Sequence, residues 1–123
     1  LEELTLYPHG QQLIVLVSVA SNSPVNPGSI LLQLDGNTVS QYSYTDSEAA
    51  ALQKGGVHRI YTGRLKDGEH MLKVSVTGIQ TRGRPFSEQH SVTITKQPGR
   101  KYMELHLGLE EGTAQPGLTI REW

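Results

Sequence analysis

The chain has no cysteine. That excludes disulfides, thiolate metal ligands and cysteine nucleophiles together. It also argues against a small secreted scaffold held by disulfide staples. A cysteine-free chain suits a reducing cytoplasm and a Gram-negative periplasm alike. Long hydrophobic runs are missing too. The longest aliphatic segment runs only from Leu13 to Val17, far short of the ~20 residues a membrane helix needs. No signal-peptide pattern is present. The chain begins at Leu1 and not at Met, as a processed or trimmed product does, so export stays open. Neither sign of charge dominates, with 11 Lys+Arg against 12 Asp+Glu. No single-sign field is there to draw nucleic acid or an anionic membrane surface, so neither is expected as a partner.

What remains has the size and punctuation of one β domain spanning residues 1–123. Apolar residues make up 36%, which is lean but workable for sheets with one wet face. Thirteen Gly and six Pro fall as turn signals between short segments. Leu13 to Val17 is a branched, continuous run, as expected of a strand covered on both faces. Asp35-Gly36-Asn37 separates Ile30–Leu34 from Thr38–Tyr42, and Asp-Gly accepts the positive φ that a tight hairpin demands. Val57–Leu65 and Glu69–Thr77 read as a second hairpin around Lys66-Asp67-Gly68, and in its second strand apolar and polar residues alternate. Thr5–Tyr7, Phe86–Lys96, Lys101–Leu107 and Leu118–Trp123 read as further strands. Asn22–Gly28, Ile79–Pro85 and Glu110–Gly117 read as loops. One helix is predicted from Asp46 to Lys54. Thr45 and Glu48 have capping-box spacing before it, and Gly55-Gly56 stops it. The pattern predicts a mostly β fold, an immunoglobulin-like or fibronectin-III-like antiparallel sandwich of seven to nine strands. The helix at about 46–54 is an insertion at a crossover between the sheets. Alternation assigns Leu32, Leu34, Leu72, Val74, Val76, Val92, Ile94, Met103 and Leu105 to the core. To these it adds one alternating set from the first long strand, either Leu13, Val15 and Val17 or Ile14 and Leu16.

Chemistry is sparse. The five histidines show no paired ligand spacing. His70 and His90 could face each other across strands, but His70 shares a face with Leu72 and Val74, as a hydrogen-bonded residue at the core edge does. There is no G-x-S-x-G elbow and no phosphate-binding glycine pattern. The adjacent carboxylates Glu2-Glu3 and Glu110-Glu111 sit in solvated settings that do not raise a pKa. The expectation is therefore no enzyme, no cofactor and no metal. Two clusters are candidates for binding. Arg82 and Arg84 bracket Gly83 and could grip a carboxylate or phosphate with their guanidinium forks, although a solvated hairpin end has the same composition. Tyr42, Tyr44 and Tyr61 supply flat, amphipathic rings of the kind that contact sugars or peptides. Their bland alternative is to anchor the helix to the sheet.

Glu48 through His70 resembles a family of uncharacterised exported proteins of Gram-negative bacteria. The residues that carry the likeness are Gly55-Gly56, Arg59-Ile60-Tyr61-Thr62-Gly63 and Gly68-Glu69-His70. The ending is similar too, with Lys101-Tyr102-Met103-Glu104-Leu105 and Arg121-Glu122-Trp123. The likeness covers roughly residues 30 to 123. It implies a periplasmic or otherwise exported setting and work alongside another envelope protein, and it transfers no catalytic residue. Two functions follow as expectations. One is a non-catalytic binding or structural module of the cell envelope that presents a protein-interaction surface. The other is a carbohydrate-binding sandwich that holds a glycan on its tyrosines.

Overall fold

Residues two apart in a strand share a face, so each apolar run above commits one face of its strand to the interior. The computed structural model describes residues 11–21, 23–80, 83–109 and 116–122. Its elements are β1 (Gln12–Val19), β2 (Val25–Leu34), β3 (Asn37–Ser43), α1 (Asp46–Gln53), β4 (His58–Arg64), β5 (Gly68–Gln80), β6 (Pro85–Lys96), β7 (Lys101–Leu109) and β8 (Pro116–Glu122). The strands form two four-stranded sheets, ordered β4-β1-β7-β8 and β3-β2-β5-β6. Strands β1 to β6 follow the path of the B, C, C′, E, F and G strands of an immunoglobulin-like sandwich. The helix lies in the crossover from β3 in one sheet to β4 in the other.

The core fills the space between the sheets. Leu13, Val15 and Val17 of β1 face Ile30, Leu32 and Leu34 of β2 and Leu72, Val74 and Val76 of β5 in one buried cluster, with Met103, Leu105 and Leu107 of β7 and Ile94 of β6. Of the two sets open for β1, the inward one is thus Leu13, Val15 and Val17. Ile14 is buried as well, on the opposite face. Val92 is the exception in the expected core list. It is half-buried and packs against the cluster from the outermost strand of its sheet.

The expected hairpin around Lys66-Asp67-Gly68 is instead a crossover: β4 and β5 lie in different sheets, β4 paired with β1 and β5 with β2 and β6, because a tight turn signal fixes a reversal of direction and not the partner strand. Four further details depart from the sequence reading. First, β1 and β7 are parallel neighbours in a sandwich otherwise paired antiparallel. A parallel pair needs a long crossover, here everything from β2 to β6, so no local turn signals it. Second, β2 starts at Val25 and runs through Pro27 and Gly28, inside the segment expected as a loop. The register slips between Pro27 and Ser29, and β3 pairs with β2 only from Ser29 on. A proline is tolerated at such a bulged, one-sided stretch. Third, β5 continues to Gln80 and β6 starts at Pro85, so the expected loop Ile79–Pro85 gives up both of its ends to strands. Fourth, β8 begins at Pro116 and not Leu118. The expected strand Thr5–Tyr7, most of the loop after Leu109, and Trp123 lie outside the described residues.

The helix is held as its sequence implies. The Thr45 side chain accepts from the Glu48 backbone N–H at 3.2 Å, and Glu48 Oε1 accepts from the Thr45 N–H at 2.9 Å. Gly55 follows at φ +102, a conformation that side chains disfavour. Thr45→Ala is expected to lower stability by about 0.5–2 kcal/mol, because free N–H groups lose their acceptor. Chemical denaturation with an unchanged m-value is the check. No loss of midpoint would mean the cap does not hold the crossover.

Candidate site at the helix crossover

Tyr42 is the penultimate residue of β3, and Tyr44 follows just past its end, tied by its backbone N–H to the Gly28 carbonyl at 2.7 Å. The crossover then carries α1 past them and returns at His58, the first residue of β4. These segments bring three rings together. The Tyr42 centroid lies 4.9 Å from that of Tyr44 and 4.6 Å from that of His58, and Tyr44 and His58 meet edge-on at 5.4 Å. The rings border a pocket of about 200 Å³, completed by Glu48, Leu52 and Val57 among others. Val57 is 60% exposed, an unusual position for a branched apolar side chain beside a cavity.

The polar atoms of this pocket are largely committed to one another. The Tyr42 hydroxyl donates to Glu48 Oε2. The Tyr44 hydroxyl is 2.8 Å from His58 Nδ1. The Thr45 N–H bond, followed by that of Tyr42, holds the Glu48 carboxyl below the usual glutamate range, so it is ionised at neutral pH. The bond to Glu48 raises the Tyr42 phenol, and burial above all raises that of Tyr44. Both stay neutral.

The expected binding residues separate under this geometry. Tyr42 and Tyr44 come together, and Tyr42 also anchors helix to sheet through Glu48. Tyr61 lies further along β4, in a second cleft of about 330 Å³ with Val39, Arg64, Asp35 and His70. Its hydroxyl fills the space where a side chain on Gly63 would sit. Arg84 is exposed in the β5–β6 turn, on a different hairpin from all three tyrosines. Arg82 lies outside the described residues. Sequence reading counted Glu48 only as a cap, and it passed over Val57 and His58. The one available signal was that a capping glutamate must lie near whatever enters the helix.

No family model, curated protein or solved structure matches this chain. The site must be read from its own chemistry. No described helix is long and apolar enough to cross a membrane.

Two further polar clusters form away from this pocket. On the outer face of the β1–β7 pair, the Ser18 hydroxyl lies 2.5 Å from Glu104 Oε2 and 2.7 Å from His106 Nδ1. Glu104 can only accept, so Ser18 donates to it and accepts from Nδ1–H. Desolvation lowers the His106 pKa, with Arg121 adding to the shift and Glu104 opposing it. In an activated serine the imidazole stands between hydroxyl and carboxylate. Here the hydroxyl stands between the other two.

The other cluster clasps two turns. His70 Nδ1 is 2.6 Å from Asp35 Oδ2, and its Nε2 is 2.7 Å from the Lys66 carbonyl. Both partners are acceptors, so the ring satisfies both only as imidazolium. His70 is thus a hydrogen-bonded residue at the core edge, as expected. It pairs with Ile94, and His90 pairs with Val74, so the two histidines are not opposite each other. The Asp35 bond raises the His70 pKa, and the same bond lowers that of Asp35. A raised histidine stabilises fully below its unfolded value of about 6.5, and the gain fades as pH rises through the folded value. Lowered Asp35 stabilises above its unfolded value and loses that as pH falls through its folded one. Stability attributable to the clasp is therefore expected to be greatest between about pH 4 and 6. Denaturation of the wild type and His70→Gln at about pH 5.5 and pH 8.5 checks this. The gap between the two proteins should narrow at the higher pH. A gap independent of pH would remove the imidazolium from the account.

Proposed function

We propose that the protein is a non-catalytic binding module whose crossover pocket takes a side chain of a partner protein. The observation that carries this reading is the pocket itself. Ring surfaces, Leu52 and an exposed Val57 line it, while its hydroxyls are already bonded to Glu48 and His58. Partner proteins are commonly gripped by an anchor side chain seated in such a concavity, with tyrosine prominent at these sites. A glycan asks for a different surface, a flat stacking ring with free polar groups beside it. Tyr42 and Tyr44 are tilted by 57° to one another and half-buried, which favours the protein reading. The envelope as the place of work rests on the family resemblance alone. The bridging position of Ser18 supports a role without nucleophilic catalysis.

Val57→Glu is the informative variant, because Val57 is exposed and its loss leaves the core intact. In a screen of the purified domain against envelope proteins and a glycan array, the wild type is expected to retain a protein partner. Val57→Glu should weaken it at least tenfold. Glycan binding that disappears in Tyr44→Ala would replace this reading with the carbohydrate one.

A further inference from the structure

The pocket is apolar in its walls and anionic at one point. Among the described residues, no Lys, Arg or His lies within ion-pair distance of the Glu48 carboxylate, although five other ion pairs form in the structure. The carboxylate is also not saturated. It accepts from the Thr45 N–H, the Tyr42 hydroxyl and the Thr45 side chain, of about four bonds it can accept. Beside it lie the rings of Tyr42, Tyr44 and His58, and tyrosine faces attract cations within about 6 Å of the ring centre. Leu52, Ala51 and Val57 complete the wall.

Resting on the binding reading above, we infer that the anchor this pocket accepts is a lysine side chain of the partner. The methylene stem matches the apolar wall, and the ammonium matches Glu48 and the tyrosine faces. Lysine fits better than arginine for a geometric reason. A guanidinium prefers to bind both carboxylate oxygens as a fork. Here each oxygen already carries a bond from within the protein. A compact ammonium needs only one free lone pair, and its charge acts in any direction. His58 acts on the carboxylate only from a distance beyond an ion pair, and glycans and acidic peptides bring no cation to it.

The test is a titration of the labelled domain followed by NMR, with N-acetyl-lysine methylamide as probe. N-acetyl-norleucine methylamide is its neutral counterpart, and N-acetyl-arginine methylamide carries the fork. The lysine probe is expected to shift the signals of Tyr42, Tyr44, Val57 and His58. It should bind at least tenfold more tightly than norleucine, with the margin shrinking as salt is added. Glu48→Gln should erase the margin between lysine and norleucine. Glutamine also completes a capping box, so this variant keeps the helix. Equal binding of lysine and norleucine would overturn the cationic anchor and leave an apolar anchor in the same pocket. Tighter binding of arginine would overturn the choice of lysine. If no probe shifts these residues while Val57 still governs partner binding, the lysine inference fails and the binding reading stands. If Val57 proves irrelevant as well, both fail.

Discussion

Leu72→Ala is expected to destabilise the domain by about 2–5 kcal/mol, through lost transfer energy plus the cavity left behind. The size of the effect follows from position. Leu72 has no exposed surface and sits on β5, which is flanked by β2 and β6. Its cross-strand partners are Leu34 and Val92. Both neighbouring strands are fixed by long ladders, so the walls cannot close on the space. The helix-cap change should cost less, since it acts at the rim of the fold. Equilibrium denaturation provides the comparison. A Leu72→Ala loss below that of Thr45→Ala would mean that the inner face of β5 is not the centre of the core.

Lys96 should give the next largest effect. Its side chain is 0% exposed, a rare condition for lysine. It lies at the end of β6 on the inward face, and its ammonium donates to the Gln97 and Gly99 carbonyls at 2.5 Å. Asp67 Oδ1 is 3.6 Å away. One cation therefore joins the turn before β5 to the turn after β6. Lys96→Met keeps the volume of the stem and removes the donors. It is expected to cost about 1–3 kcal/mol, the usual penalty of leaving a buried polar group without its partner. Lys96→Ala should cost more, because the stem also leaves a cavity. A fully stable Lys96→Met protein would show that the stem packs and the ammonium contributes nothing. An inward charge on an edge strand also discourages pairing with other chains. The same two variants should therefore be compared for aggregation.

Local chemistry was legible in the sequence, and long-range partnership was not. Asp35-Gly36 announced its hairpin because only such residues accept two successive positive φ values, here 52° and 86°. Thr45 and Glu48 announced the helix start because the capping box closes within four residues. The alternation in β5 gave its inner face directly. Strand ends were harder. Val25-Asn26-Pro27-Gly28 has the composition of a loop, and only pairing with the end of β5 makes it a strand. Gly78 shows how close that pairing is. A side chain there would come within 2.5 Å of the Asn26 carbonyl.

The site was half legible for the same reason. Tyr42 and Tyr44 stood out as neighbours with amphipathic rings. His58 comes beside them only because β4 returns along the seam where the sheets meet, bridged by the Ser40 hydroxyl bond to the Ile60 carbonyl at 2.8 Å. Ser18, Glu104 and His106 needed the parallel register of β1 and β7, in which Ser18 stands opposite His106. No periodicity within either strand predicts that match. Arg84, chosen for its chemistry, lies on a hairpin that the pocket does not use.

The central claim is that a partner protein seats a side chain at the crossover pocket. A photo-crosslinking amino acid placed at Val57 tests it most directly, with the same group at exposed Thr93 on the outer face of β6 as the control. Irradiation in an envelope extract is expected to join a protein to the domain at position 57 and not at 93, with the adduct reduced by Glu48→Gln. Adducts at position 93 with none at 57 would contradict the account.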